Sequence, residues 1–321
     1  QQEFIGSTVH PETGYLDETV INGTTYFYAV SALDTAGNES GFSDMVSVTP
    51  RGPMAFHVSV DGDDDAGNGS EGNPFATIQK GINETFLAED SVLVHPGAYA
   101  ENIDFTGKAI AVISSSGPDV TIIYGGDVGS VVTFQSGEDQ LSLLAGFTIT
   151  GGNAEQGGGI YCSGSSPRLE HLAVKGNEAD YGGGIYMANS VSKLTRVLIS
   201  GNKANQNGGG LRLDESVPEF LNVTIAANMG IDGGGIFVSN IFDNGEVTFV
   251  NSIIWGNDNY QLSFVEDNSY SRIHFGYTVV QDGMLGINNY GGYGHFEEDS
   301  LHLTASPLFV EPIYPNWNDP P

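Results

Sequence analysis

Apolar residues in the middle of this chain recur two apart, in short bursts that end on asparagine. The bursts read Leu169-x-x-Leu172-x-Val174-x-x-Asn177, Leu194-x-x-Val197-x-Ile199-x-x-Asn202, Phe220-x-x-Val223-x-Ile225-x-x-Asn228 and Phe249-x-x-Ser252-x-Ile254-x-x-Asn257. Alternation of period two predicts strands, with residues 172/174, 197/199 and 223/225 turned inward. Phe147-x-Ile149 followed by Asn153 reads as an earlier copy with one extra residue in its turn. Runs of three glycines and an apolar residue accompany the bursts: Gly157-Gly158-Gly159-Ile160, Gly182-Gly183-Gly184-Ile185, Gly208-Gly209-Gly210-Leu211 and Gly233-Gly234-Gly235-Ile236, at steps of 25, 26 and 25 residues.

Self-similarity at that period means a solenoid. A unit of about 25 residues with two or three short strands, stacked on copies of itself, is one coil of a parallel β-helix, with coils about 4.8 Å apart. No helical periodicity runs through the repeats, and each glycine would cost a helix about 1 kcal/mol. The recurrent Asn suits a ladder of side-chain amides bonded from coil to coil. The glycines permit positive φ at the corner that leads into the next strand. Both features read as structural.

Charge narrows the function classes. The chain has 40 Asp+Glu against 10 Lys+Arg, a formal charge of −30. Without a basic stripe, a nucleic-acid partner is excluded, and a polyanion is repelled unless a cation or a local basic patch intervenes. No run of 18 apolar residues is present, so no membrane-spanning helix is expected. Cys162 is alone and, by alternation from Ile160, points inward as a buried inert thiol.

The chain divides into residues 1–50, a linker at 51–54, a solenoid at 55–310 and a tail at 311–321. In the first part, Asn22-Gly23-Thr24-Thr25-Tyr26-Phe27-Tyr28-Ala29-Val30, the turn Ala36-Gly37-Asn38-Glu39-Ser40 and Val46-Ser47-Val48-Thr49-Pro50 resemble the C-terminal half of a fibronectin type III domain. That resemblance implies further strands upstream, without which the half-sandwich has an open edge.

The solenoid's opening, Val58-Ser59-Val60-Asp61-Gly62 through Asn73-Pro74-Phe75-Ala76-Thr77-Ile78-Gln79 to Val92-Leu93-Val94-His95-Pro96-Gly97, resembles right-handed parallel β-helix proteins of the pectate-lyase-like superfamily, relatives of chondroitinase B among them. The glycine-rich coils are similar to repeats of chlamydial polymorphic membrane proteins, and Ser306-Pro307-Leu308-Phe309-Val310 resembles the closing segment of bacterial surface β-helices. The fold expected is therefore all-β: a right-handed parallel β-helix of about ten coils, by division of length, behind a partial fibronectin sandwich. In this superfamily the Pro-Phe-x-Thr-Ile-Gln stretch opens a capping helix, with Ile78 and Ile82 as its buried stripe.

The superfamily holds lyases, hydrolases and non-catalytic surface proteins, so the fold alone selects no chemistry. The Asp pairs, Gly-His-Gly and Arg-x-Lys motifs of polygalacturonase-like members are missing. Three groups of residues are candidates. His171, Lys175 and Arg196 face outward on adjacent coils and form a basic group for an anionic sugar, Lys175 or Arg196 being the base if the protein is a lyase. Tyr161, Tyr186, Arg212 and Phe237 occupy one register after the glycine runs, a strip for stacking on sugar rings or a ladder that packs coil on coil. Asp61, Asp63 and Asp65 alternate in a glycine-rich loop and suit Ca²⁺, with a structural role at the capped end.

The reading from sequence is a secreted or cell-surface β-helix, non-catalytic, that binds a polysaccharide or partner proteins along its outer face. A Ca²⁺-assisted lyase acting on an acidic polysaccharide is the alternative. An assembly subunit that pairs with other copies or flanking domains is a third.

Overall fold

The computed structural model describes residues 3–298 apart from 10, 11, 13, 240, 242–244, 266–271 and 289–294. The segment 306–310 and the tail 311–321 lie outside the described residues. The chain forms two compact units, Gln1–Pro53 and Met54–Pro321.

In the first unit, strands Tyr26–Tyr28 and Val46–Val48 pair antiparallel, Tyr26 opposite Val48. The Tyr28 hydroxyl donates to Asp17 Oδ2 at 2.9 Å, and the Ile21 N–H donates to the Tyr26 hydroxyl at 2.9 Å. None of its described residues is buried, and Phe27, Val30, Leu33 and Phe42 are exposed. The expected partial sandwich is thus a two-stranded ribbon here, because one antiparallel pair has no second layer to close over its apolar side chains.

The second unit is a parallel β-helix. A ten-stranded sheet (sheet I, which contains Arg168–Glu170) runs its length, and two further sheets, II with Ala173–Lys175 and III with Ile160–Ser163, hold eight strands each, all pairing parallel. Eight coils therefore carry all three strands among the described residues, fewer than the ten expected. Division by 25 overcounts because residues 59–90, a long loop and the capping helix, contribute no strand to the stack.

The inward columns fall where period-two alternation places them. Leu172, Val174, Val197, Ile199, Val223 and Ile225 are all buried in one continuous core. Aromatic rings stack within it, Phe220 on Phe249 at 4.2 Å between centroids and 3° between planes. Cys162 is also fully buried, its Sγ donating to the Ser165 carbonyl at 3.1 Å, and burial pushes its thiol up to about 11.

The asparagine ladder forms. Asn177 Nδ2 donates to Asn202 Oδ1 at 3.0 Å, Asn202 to Asn228 at 3.0 Å and Asn228 to Asn257 at 2.9 Å. Each Oδ1 also accepts a backbone N–H of the preceding rung, and each Nδ2 reaches a carbonyl such as Ile149 or Val174. Gln261 closes one end and the Gly152 N–H the other. Gly152, and not Asn153, thus stands at the rung position of the earlier coil. Asn153 instead pairs with Glu178 in a small ribbon, so the expected extra turn residue is the first residue of a strand.

The glycine runs divide two tasks. Only the first glycine of each run has positive φ, +62° at Gly157 and +64° at Gly182. The third is required by close approach: a Cβ on Gly184 would lie 2.5 Å from the Gly210 carbonyl oxygen and 2.9 Å from Asn202 Nδ2.

The helix Ile78–Glu84 caps the first coil, burying Ile78 and Ile82 as the pattern predicts. Its N-cap is Thr77, whose Oγ1 accepts from the Lys80 N–H at 3.2 Å. The Glu101 carboxylate accepts from the Ile78 and Gln79 N–H groups, and burial raises its pKa. At the other end, Lys108 Nζ donates to the carbonyls of Ile82, Asn83 and Thr85.

Candidate functional site

The corner between sheets I and II repeats one backbone conformation. Gly146, His171, Arg196, Asn222, Asn251 and Tyr277 all have positive φ, from +51° to +84°. Coil-to-coil bonds hold His171, Arg196, Asn222 and Asn251, as in His171 N–H to the Thr195 carbonyl at 2.9 Å and Arg196 N–H to the Leu221 carbonyl at 2.9 Å. Because the whole column shares it, the left-handed conformation is a property of the corner and not strain reserved for one residue. Its consequence is directional: each of these side chains leaves the stack at a sharp bend and stands on the surface.

His171 and Arg196, both exposed, line a cleft of about 400 Å³ together with Glu170 and residues 113–117. The floor is low because Ala145 and Gly146 carry little or no side chain on the intervening coil. Gly117 closes one side; a Cβ there would lie 3.5 Å from His171 Cε1. The polar row continues past Arg196 to Asn222 and Asn251, where Asn251 Nδ2 donates to Asn222 Oδ1 at 2.9 Å.

The structure therefore splits the basic group. His171 and Arg196 come together; Lys175 does not line the cleft, because the bend at residue 171 places it at the far end of strand Ala173–Lys175. Most other cations are engaged: Arg168 with Glu170 at 3.6 Å, Lys193 with Glu219 at 3.0 Å, Lys203 with Glu178 at 2.6 Å and Arg212 with Asp214 at 3.0 Å. Among the described residues Arg196 has no such partner. Pairing within a net charge of −30 makes an uncommitted guanidinium in a cleft the most available anion contact.

The second group is in register, Tyr161, Tyr186, Arg212 and Phe237 pairing in succession on sheet III. The open strip is not there, however. Tyr186 and Phe237 are each only 6% exposed. Tyr161 stacks on Tyr186 with centroids 5.8 Å apart and planes at 11°. The Arg212 guanidinium lies between the rings of Tyr181 and Phe237, at 4.6 and 5.2 Å. It also donates to Asn207 Oδ1 at 3.0 Å. Tyr181 and Asn207 belong to a fourth, three-stranded ribbon made of Asn153–Gln156, Glu178–Tyr181 and Lys203–Asn207. These strands lie beside the column, and the aromatics serve as a coil-to-coil ladder with only Tyr161 partly open.

The acidic loop is organised around its own backbone. Asp63 Oδ1 accepts from the Asp65 and Ala66 N–H groups, bonds that lower its pKa. Asp64 accepts from Ala76 N–H, Thr77 N–H and the Thr77 hydroxyl, which seats the helix cap. Among the described residues no three His, Cys, Asp or Glu side chains converge as a metal cluster.

One association had no signal in the spacing. His57 and His95, 38 residues apart, lie on adjacent coils with His57 Nδ1 and His95 Nε2 at 3.1 Å. Only the parallel register, Val58 opposite Val94, brings them together.

Among solved structures, the unit is similar to pectin methylesterase PemA from Erwinia chrysanthemi, with a TM-score of 0.52 at 12% identity over 78% of this chain and 90% of that one. Pectin methylesterase from carrot is similar too, with a TM-score of 0.54 at 13% identity over 81% of this chain and 86% of that one. At such identity the likeness shows the fold alone, a parallel β-helix. No protein family matches the sequence, and no curated protein does. Among the described residues no helix is long and apolar enough to cross a membrane.

Proposed function

We propose that this protein is a secreted carbohydrate-active β-helix that takes an acidic polysaccharide along the corner between sheets I and II. Arg196 and His171 receive a uronate carboxylate in the cleft, and Asn222 and Asn251 continue the contact along the polar row. The observation that carries this reading is Arg196, a guanidinium without an acidic partner among the described residues, standing with His171 in a cleft of about 400 Å³. The class of fold supports it, since both similar structures are named as enzymes of pectin, itself a polyuronate. The fibronectin-like ribbon fits the same reading as part of a module that spaces the β-helix from a surface.

Cleavage is the second reading, favoured by the pairing of two basic side chains beside Glu170. An eliminative lyase needs a base to remove the proton α to the carboxylate, and Arg196 with His171 supplies the candidates, now without Lys175. One experiment addresses both. Oligomers of galacturonate, alginate and chondroitin sulfate are titrated into wild type and Arg196→Ala by calorimetry, while absorbance of the unsaturated sugar is followed. Binding that weakens about tenfold or more in the variant supports the proposal; equal binding by both proteins overturns it. An absorbance rise that requires Arg196 selects the lyase, and a flat trace with intact binding selects the non-catalytic form.

A further inference from the structure

The pair His57–His95 carries an inference independent of the sugar site. The geometry points to a binding site for a borderline divalent cation, Zn²⁺, Ni²⁺ or Cu²⁺, at the first coils of the β-helix. Two imidazole nitrogens 3.1 Å apart already stand where two ligands of one metal stand. With metal–nitrogen bonds of about 2.05 Å, that separation corresponds to an N–metal–N angle of about 98°, between square-planar and tetrahedral values. The rings lie 5.4 Å apart between centroids and 29° from parallel, which sets the two nitrogens head-on along their shared hydrogen bond, so each ring must turn by about 40° to aim its lone pair at one ion.

Both backbones are held. The His57 N–H donates to the Gly69 carbonyl at 2.8 Å and its carbonyl accepts from Phe75 at 3.0 Å. The His95 N–H donates to the Val58 carbonyl at 2.8 Å, and its carbonyl accepts the Tyr99 hydroxyl at 2.8 Å. Ligands fixed in this way need little ordering when a metal arrives. Both side chains are half-buried, so an ion has access from one side. In the metal-free pair, one of the facing nitrogens carries the proton of the shared hydrogen bond. Metal binding transfers that proton to the outer nitrogen of the same ring, and no net charge is lost from either imidazole.

No third His, Cys, Asp or Glu joins the pair among the described residues, so water completes the coordination. Imidazole nitrogen selects borderline metals over Ca²⁺ and Mg²⁺, which prefer oxygen.

The test uses the full chain, free of any affinity tag and stripped with chelator, titrated with CuCl₂ and ZnCl₂. One equivalent should bind, excess Ca²⁺ should not displace it, and the copper spectrum by electron paramagnetic resonance should show two coordinated nitrogens. His57→Gln and His95→Gln should each weaken binding at least tenfold, while His171→Asn leaves it unchanged. A one-nitrogen spectrum in wild type overturns the proposal whatever the variants do, and so does undiminished uptake by both folded Gln variants. Neither result bears on sugar binding at Arg196.

Discussion

The Tyr186 hydroxyl donates to Asp214 Oδ2 at 2.6 Å across one coil step, and the same carboxylate holds Arg212 Nε at 3.0 Å. This links the aromatic column to the ion pair beside it. Tyr186→Phe removes one hydrogen bond to a charged acceptor and should cost about 1.5–3 kcal/mol, read by chemical denaturation. Burial first, then the bond to Asp214 and its charge, raise the Tyr186 pKa. Burial and Glu101 push Tyr99 up to about 12. Raised folded values mean that the stability from both protons is intact below about pH 10, where free tyrosine titrates, and fades as pH climbs beyond it. Tyr186→Phe should lose stability less steeply with rising alkalinity than wild type; parallel curves would assign the loss elsewhere.

Arg196→Ala should weaken binding of oligogalacturonate by about 1.5–3 kcal/mol, roughly tenfold to a hundredfold, without changing the melting temperature. His171→Ala should act in the same direction. Lys175→Ala, outside the cleft, should change affinity by less than about threefold in the same calorimetric titration.

Removing a buried rung differs from removing an exposed one. Asn202→Ala leaves the Asn177 backbone N–H and amide without their acceptor and the Val174 carbonyl without its donor. Low-dielectric surroundings make that loss about 2–4 kcal/mol. Asn251→Ala breaks an exposed amide pair and gives up asparagine's tolerance of φ +56°, and should stay within about 1 kcal/mol. Equal denaturation midpoints for the two variants would show that the ladder contributes little.

Glycine substitutions separate conformation from space. Gly256 has φ +68° and no atom within 4 Å of an added Cβ, so Gly256→Ala meets only the left-handed penalty of about 1–2 kcal/mol. Gly184→Ala drives a methyl to 2.5 Å from the Gly210 carbonyl and should cost about 3 kcal/mol by parting two coils. Thermal unfolding of the two variants should rank them in that order.

What the linear chain determined is the coil. Period-two alternation decides which side of a strand is apolar, and a repeat of about 25 residues makes each coil the template of the next, so Leu172, Asn177 and Cys162 were legible without coordinates. The turns were less so: Asn153 shows how one residue moves between rung and strand when only spacing is read. The fate of outward residues was decided by tertiary structure. Tyr186 and Phe237 share a column with Tyr161 as read, but accessibility depends on what lies beside the column, here the rings, Arg212 and a three-stranded ribbon. His171 and Arg196 share a cleft because the corner bends through positive φ, while Lys175, four residues from His171, is carried to the far end of its strand. His57 meets His95, 38 residues on, only through the parallel register of their neighbouring strands. Periodicity is a local property and survives in the sequence. Exposure and cross-coil proximity arise when loops of unequal length are laid over a regular stack, and only the folded chain computes that sum.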